Sequence, residues 1–462
     1  MGTLICKICD DGAVRGADPS ATGSYTQLRA FPGAEGMAAF TRGAAGYSGA
    51  KSIAFVDNLN DSGPGSFREA CAGAGKEGTF IIFRTSGIIN LTNNFSITSR
   101  YLTFAGQTSP GGILITGRPV VINASDIIMR HMRYRVGSHN IDNEDAHDSL
   151  QVLGHIWGPN TTDNLIFDHC SIGWGVDENC SLTGGITNVT VQWSIIAEGL
   201  RNGKVAGDHS KGMLIGGDGV ADNSISLHHN YYAHNSDRNP LLNIPDTATG
   251  ATLLGDAWNN VVYNWQGGLS PLAGNDCHMN WQEFYCKQGP DSNAYSREIT
   301  HEAATGTPGP YLYVKGNIGS TRLLQSDPHW NVGNHWMDED LPETWRRLTP
   351  WAVSEGGIIT PMTAAYAAQI LQTVGANKPF RDAVDTRIID DFTNTTGAIR
   401  SNVSYPADFP TYSTPAPPTD TNGDGIPDQF EIDNGFAVGT MDPLAIAPSG
   451  RLRIEDYVNE LA

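Results

Sequence analysis

From Ser52 to Ser320 the chain returns repeatedly to a short β-branched or apolar run that ends at Asn, Asp or Gly. TFIIFRTSGIINL, YLTFAGQ, GILITG, DIIMRHMRYRVG, NLIFDHCSIGW, NVTVQWSIIAEG, SISLHHNYYAHN, NNVVYNW and YLYVKGNIGS all have this form. Aligning the strand-to-turn junctions superimposes Cys170, Ser194, Asn230 and Asn260, at spacings of 24 to 36 residues, the range of one solenoid coil. No helical pattern of the length a βαβ crossover needs lies between them. Each coil has an apolar face that only its neighbour can bury, so the coils must stack, and Asn at recurring turns can ladder its amide along the stack. A Greek-key sandwich or barrel is the competing reading, but the Asn-Gly and Asp-Gly hairpin turns it favours are scarce. The expected fold is all-β, a right-handed parallel β-helix.

At 462 residues the chain has room for one large domain with appendages. The pattern divides it into a flexible tail over 1–28, the β-helix over 29–335, a helical or irregular segment over 336–405 that packs on it, and a Pro-rich linker with a short tail over 406–462. WMDEDLPETWRRL and TPMTAAYAAQILQTVGA read as helices, the second capped by Thr360 with Pro361 at its first position. Its apolar positions Ala365, Ala368, Ile370 and Leu371 predict a face packed on the solenoid. A formal charge of −20 argues against nucleic acid or an anionic membrane as partner, and no apolar run approaches the roughly 18 residues of a membrane span. The residues before Ala30 do not read as a signal peptide, so Met1 is read as the start of the mature chain. Seven cysteines are too few for a disulfide scaffold. Cys6 and Cys9 form an isolated CxxC, and Cys277 and Cys286 could close a loop disulfide or remain thiols.

The tail carries one sharp motif. Asp420-Thr-Asn422-Gly-Asp424-Gly-Ile426-Pro-Asp428-Gln-Phe-Glu431 matches a calcium-loop pattern at all its fixed positions. Side-chain oxygens of Asp420, Asn422, Asp424, Asp428 and Glu431 and the Ile426 carbonyl are the expected Ca²⁺ ligands. Pro427 points to a rigid structural loop rather than a sensor.

Between Asp148 and Arg238 acidic residues come first and basic ones last, an order suited to holding a cation and then an anion. Taken singly, these residues have plain readings. Arg238 would be a surface ion-pair partner, Lys211 a solvated lysine, and Asp148 and Asp177 turn caps. Asp168, His169, His228, His229 and His234 are read as structural. Trp174 either packs or stacks on a sugar.

The motifs AFPGAEG (Ala30 to Gly36), VDNLNDSGPGSFREA (Val56 to Ala70), FAGQTSPGG, IFDHCSIGWGVDEN, HNSDRNP and KPFRDAVDTRI resemble those of the pectate lyase family, polysaccharide lyase family 1. Many bacterial members also end in an Asp-rich calcium loop. The resemblance implies a pectin-lyase-like solenoid that cleaves α-1,4-linked polygalacturonate by Ca²⁺-assisted β-elimination, giving unsaturated oligogalacturonides. It implies Asp148 and Asp177 as Ca²⁺ ligands, Lys211 as partner of a substrate carboxylate, and Arg238 as the base. The family's third aspartate falls on Ser181 and its second substrate arginine on Asn243, with Glu178 able to supply the missing oxygen. It further implies a secreted protein acting on pectin, here read as a monomer. Removing a uronate C5 proton is hard because the nearby carboxylate opposes further negative charge, which a cation and a lysine would offset. The alternatives are a pectin lyase or other uronate lyase, a β-helix glycoside hydrolase, and a non-catalytic carbohydrate-binding solenoid. Asp177 and Glu178, if both in a strand, would face opposite ways and argue against the hydrolase.

Overall fold

In the computed structural model, residues 28–71, 75–140, 147–154, 162–202, 209–216, 223–243, 252–266, 272–273, 277–293, 298–299, 301–302, 311–320, 322–324, 326–329, 343–353 and 358–462 are described. Among the described residues the strands form three sheets of ten, eight and eight, and from Thr79–Phe83 onward each successive strand passes to the next sheet. One coil, for example, runs from Thr162–Asp168 through Ser171–Gly173 to Glu178–Thr183, and the next begins at Ile186–Gln192. Each strand inside a sheet pairs in parallel with its neighbours one coil before and after, as in Leu165↔Ile127 and Leu165↔Val189. The molecule is a right-handed parallel β-helix.

Alternate residues of each strand point into the coil, where Phe104, Met129, Phe167, Val191, Leu227, Ala257 and Trp281 belong to one continuous buried core. Packing of successive coils, rather than any covalent link, holds it together. The described cysteines Cys71, Cys170, Cys180, Cys277 and Cys286 are all buried free thiols. The Cys277–Cys286 loop disulfide is therefore corrected: the two residues lie in strands of different sheets and both enter the core. Cys6 and Cys9 lie outside the described residues.

The aligned turn residues form the expected ladder. Cys170 N–H donates to Ser194 Oγ at 3.0 Å, Ser194 N–H to Asn230 Oδ1 at 2.9 Å, and Asn230 N–H to Asn260 Oδ1 at 3.0 Å. Just before each of them, His169, Trp193, His229 and Asn259 hold positive φ, which makes the sharp corner between the first and second sheets.

Three appendages cover the coil. Residues 30–39 lie on the first sheet, Ala38 N–H donating to Thr190 Oγ1 and Met37 N–H to Ser226 Oγ, each at 3.0 Å. Gly36, with φ +77°, fits there because a Cβ would come within 2.6 Å of Thr190 Oγ1. The helix Ala383–Asn394, capped by Asp382, packs on the second sheet and pins it through Arg135, whose guanidinium pairs with Asp382 at 2.7 Å and Asp385 at 2.5 Å. The tail puts Ile426, Met441, Ile454, Tyr457 and Val458 against Phe80, Ile82 and Ala105 of the first coils.

Two helix expectations need correction. The second helix is Ala367–Thr373, preceded by a 3₁₀ turn at Ala364–Tyr366. Thr360 does not cap it, because its N–H and hydroxyl both donate to Glu35. The buried face is Ala364, Ala367, Ile370 and Leu371, not Ala365 and Ala368. In WMDEDLPETWRRL the described part holds only a 3₁₀ turn at Glu343–Trp345. Among the described residues no helix is long and apolar enough to cross a membrane.

Candidate active site

The third sheet gathers the central motifs. Asp148 lies two residues before the strand Leu150–Leu153, Glu178 opens Glu178–Thr183, Lys211 opens Lys211–Gly216, and Arg238 lies three residues before Leu241–Asn243. Register puts Glu178 beside Lys211 and Lys211 beside Asp237. Residues drawn from a span of 90 positions thus occupy four successive rungs, each about 4.8 Å from the next. Gly212 is needed here, since a Cβ would lie 2.4 Å from the Arg238 carbonyl.

Oxygens of Asp148, Asp177 and Glu178 all lie within 4.8 Å of one another. Asp177 precedes the strand in a bend, so it does not obey strand alternation. The expectation that Asp177 and Glu178 face apart is corrected: the bend brings both to Asp148. The Asp148 carboxylate is 8% exposed and accepts the Glu178 N–H at 3.0 Å and the Ser181 hydroxyl. Burial, with Asp177 alongside, pushes its pKa up to about 7 against the pull of Ser181 and Arg238. An oxygen-rich trio of this kind suits a hard divalent cation such as Ca²⁺, and Ser181 orients Asp148 within it. Arg238 ion-pairs with Glu178 and holds φ +58°.

Beneath this cluster is a buried amide network that the sequence reading passed over. Asn179 donates to Asn235 at 2.9 Å, and Asn235 to Asn239 at 2.9 Å. Their signal was the asparagine in each of DEN and HNSDRN.

Two expected site residues fall elsewhere. Trp174 is 1% exposed, donates to Glu198 at 2.9 Å and packs edge-on against Phe409, so it is a core residue and not a sugar platform. Asn243 lies at the opposite end of its strand beside Gly216, about 16 Å along the sheet from the Lys211 rung. A second titratable group, His131, Asp168 and His169, also converges. There Asp168 is already saturated by Arg130 at 2.8 Å, Gln192 at 2.7 Å and His169 at 2.9 Å. It is a turn-ordering cluster.

In the tail, Asp420 accepts the N–H groups of Gly423, Asp424 and Gly425, and Asp424 accepts those of Ile426 and the Asn422 amide. Asp428 accepts the Thr421 N–H and hydroxyl. Glu431 is fully buried and accepts Gly439 N–H at 2.6 Å and Met441 N–H at 2.9 Å. Glu431 thus clasps the turn that follows the loop.

A scan against protein-family models found no match. Curated relatives are clear. The chain is 33% identical over 453 aligned residues to a probable pectate lyase C of Aspergillus flavus, 94% of each chain. It is 32% identical over 446 residues to the probable pectate lyase C of Emericella nidulans, 95% of this chain and 94% of that one. Its fold is similar to a variant of a Bacillus subtilis pectate lyase, with TM-score 0.50 at 12% identity, covering 78% of this chain and 100% of that one. Fold and relatives define an enzyme of the polysaccharide lyase class. The chain belongs to the pectate lyase family, polysaccharide lyase family 1.

Proposed function

We propose that this protein is a secreted, monomeric pectate lyase that cleaves α-1,4-linked polygalacturonate by β-elimination and depends on Ca²⁺. The observation that carries this is the approach of a three-carboxylate cluster to Lys211 and Arg238 on adjoining rungs. Asp148, Asp177 and Glu178 would hold the ion. Ca²⁺, when bound, would supply positive charge that offsets both the uronate carboxylate and Glu178.

Lys211 presents an ammonium group one rung from Glu178, where it can pair with a substrate carboxylate. Arg238 accepts the C5 proton. The C5–H electrons form the C4–C5 double bond, the C4–oxygen bond breaks, and water returns a proton to the leaving oxygen. Guanidinium is ordinarily protonated, and contact with Glu178 reinforces that state. The base role therefore requires Glu178 to be neutralised first, with Lys211 disfavouring a second positive charge beside it. The polymer is too large to import, which supports an extracellular site of action. The tail loop would hold a second, structural Ca²⁺ through Asp420, Asn422, Asp424, Ile426, Asp428 and Glu431.

The test is incubation with polygalacturonate while following ultraviolet absorbance of the unsaturated product, with and without chelator. Chelator-sensitive absorbance is expected. Reducing ends without a chromophore would mean hydrolysis, and neither would mean a binding solenoid. Equal rates on fully methylated pectin would reassign the substrate, because the proposed site is built for a free carboxylate.

A further inference from the structure

Each carboxylate of the trio is held by a different rung. Asp148 is fixed by the Ser181 hydroxyl and the Glu178 N–H, and Glu178 by the Arg238 guanidinium. Asp177 sits in the bend before its strand, where the backbone restrains it less. Its main-chain anchor there is the His147 carbonyl, which accepts its N–H at 3.3 Å.

What reaches the Asp177 side chain is His209, two residues before Lys211. Its Nδ1 lies 3.0 Å from Asp177 Oδ1. The imidazole is 14% exposed and the aspartate 27%. The segment that presents it is tied to both neighbouring coils. His209 N–H donates to the Arg201 carbonyl at 3.1 Å, and its own carbonyl accepts the Ser236 hydroxyl at 3.1 Å. The next residue repeats the pattern, Ser210 N–H donating to Leu200 and Ser236 N–H to Ser210 Oγ at 3.2 Å.

We propose that His209 is a positioning residue of the cation site: its Nδ1–H holds one Asp177 oxygen and leaves the other for the ion. This rests on the reading that Asp148, Asp177 and Glu178 bind Ca²⁺. A ring held by main-chain bonds on both sides fixes the aspartate before the ion arrives, so its ordering entropy is not lost at binding. Outer partners of this kind typically change metal affinity by about 10- to 100-fold. The same anchored segment carries Lys211, so His209 also sets the spacing between the cation and that ammonium group.

The experiment is Ca²⁺ calorimetry on the full-length protein and its variants, the site being identified as the component that Asp177→Asn removes. His209→Ala should weaken that component by about 10-fold or more. His209→Asn, whose amide N–H can occupy the Nδ1 position, should recover most of it, and His209→Gln should recover less. Turnover by His209→Ala should return towards the parent level at raised Ca²⁺, and its melting temperature in chelator should match the parent. An unchanged affinity in His209→Ala overturns the proposal, as does a loss that His209→Asn shares in full or a fall in chelated stability that accounts for it. Should Asp177→Asn remove no component, the cation reading itself fails and takes this inference with it.

Discussion

Two acidic clusters in this molecule are built in opposite ways. In the tail loop, Asp420, Asn422 and Asp424 are near neighbours in sequence; backbone N–H groups of their own turn donate to Asp420 and Asp424, and the Asn422 amide donates to Asp424. In the third sheet, Asp148 and the Asp177–Glu178 pair come from separate coils and meet only because the coils are in register. The first cluster is complete as a local turn. The second takes its partners from other coils, Ser181 for Asp148, Arg238 for Glu178 and His209 for Asp177, and burial, with Asp177 alongside, raises the Asp148 pKa to about 7. A loop satisfied by its own backbone is suited to bracing structure, whereas a buried carboxyl with a perturbed pKa among other acids marks a candidate site.

The largest expected effect that separates the two is on turnover. Arg238→Lys should lower the elimination rate by about 10²-fold or more with an unchanged circular dichroism spectrum, because lysine cannot reproduce the guanidine's reach and geometry. Retained turnover would move the base elsewhere.

The next effect is on cation affinity. The Asp148 pKa of about 7 stands above its ordinary value, so below pH 7 an ion must displace a proton. Site affinity should fall as pH drops below 7, by at most about tenfold per unit, while that of the exposed tail loop changes less there. Calorimetry at pH 6 and 8 checks this, and equal pH slopes would erase the contrast.

Deleting the tail after Pro418 should lower the melting temperature by on the order of 10 °C while leaving turnover nearly intact. It removes Tyr457 and Ile454 from the first coils, together with the Glu455–Arg42 ion pair at 2.9 Å. Equal loss of both would show that the tail shapes the site.

The smallest effect concerns the corner stack. Burial, with His169 and Arg130 nearby, holds the His131 imidazole well below its usual pKa, and burial does the same for His229. Depressed imidazole values contribute stability above pH 6.5 that is lost as pH falls towards the folded-state value. Acid denaturation should begin below about pH 6.5, and His131→Phe, which keeps a ring beside His169, should soften it; an unchanged acid limb would remove His131 from the account.

Coil period, core face and turn ladder were all legible in sequence, because each depends on near-neighbour spacing. Cys170, Ser194, Asn230 and Asn260 aligned before any coordinates did. Boundaries were weaker: Thr360 serves Glu35 rather than a helix, since a contact 325 residues away outbids a local cap. Trp174 was ambiguous for the same reason, its surroundings being supplied by Glu198 and Phe409.

By itself, then, the chain determined that it would coil, which residues would face inward, and which acids and bases its turns would carry, because repeat length and alternation act over a few residues. Only the folded coil decided that Asp177 and Glu178 share one side, that His209 reaches Asp177, and that Asn243 stands apart from Lys211. Those relations depend on the register between coils and on a bend before one strand, which long-range packing sets and no short window of sequence contains.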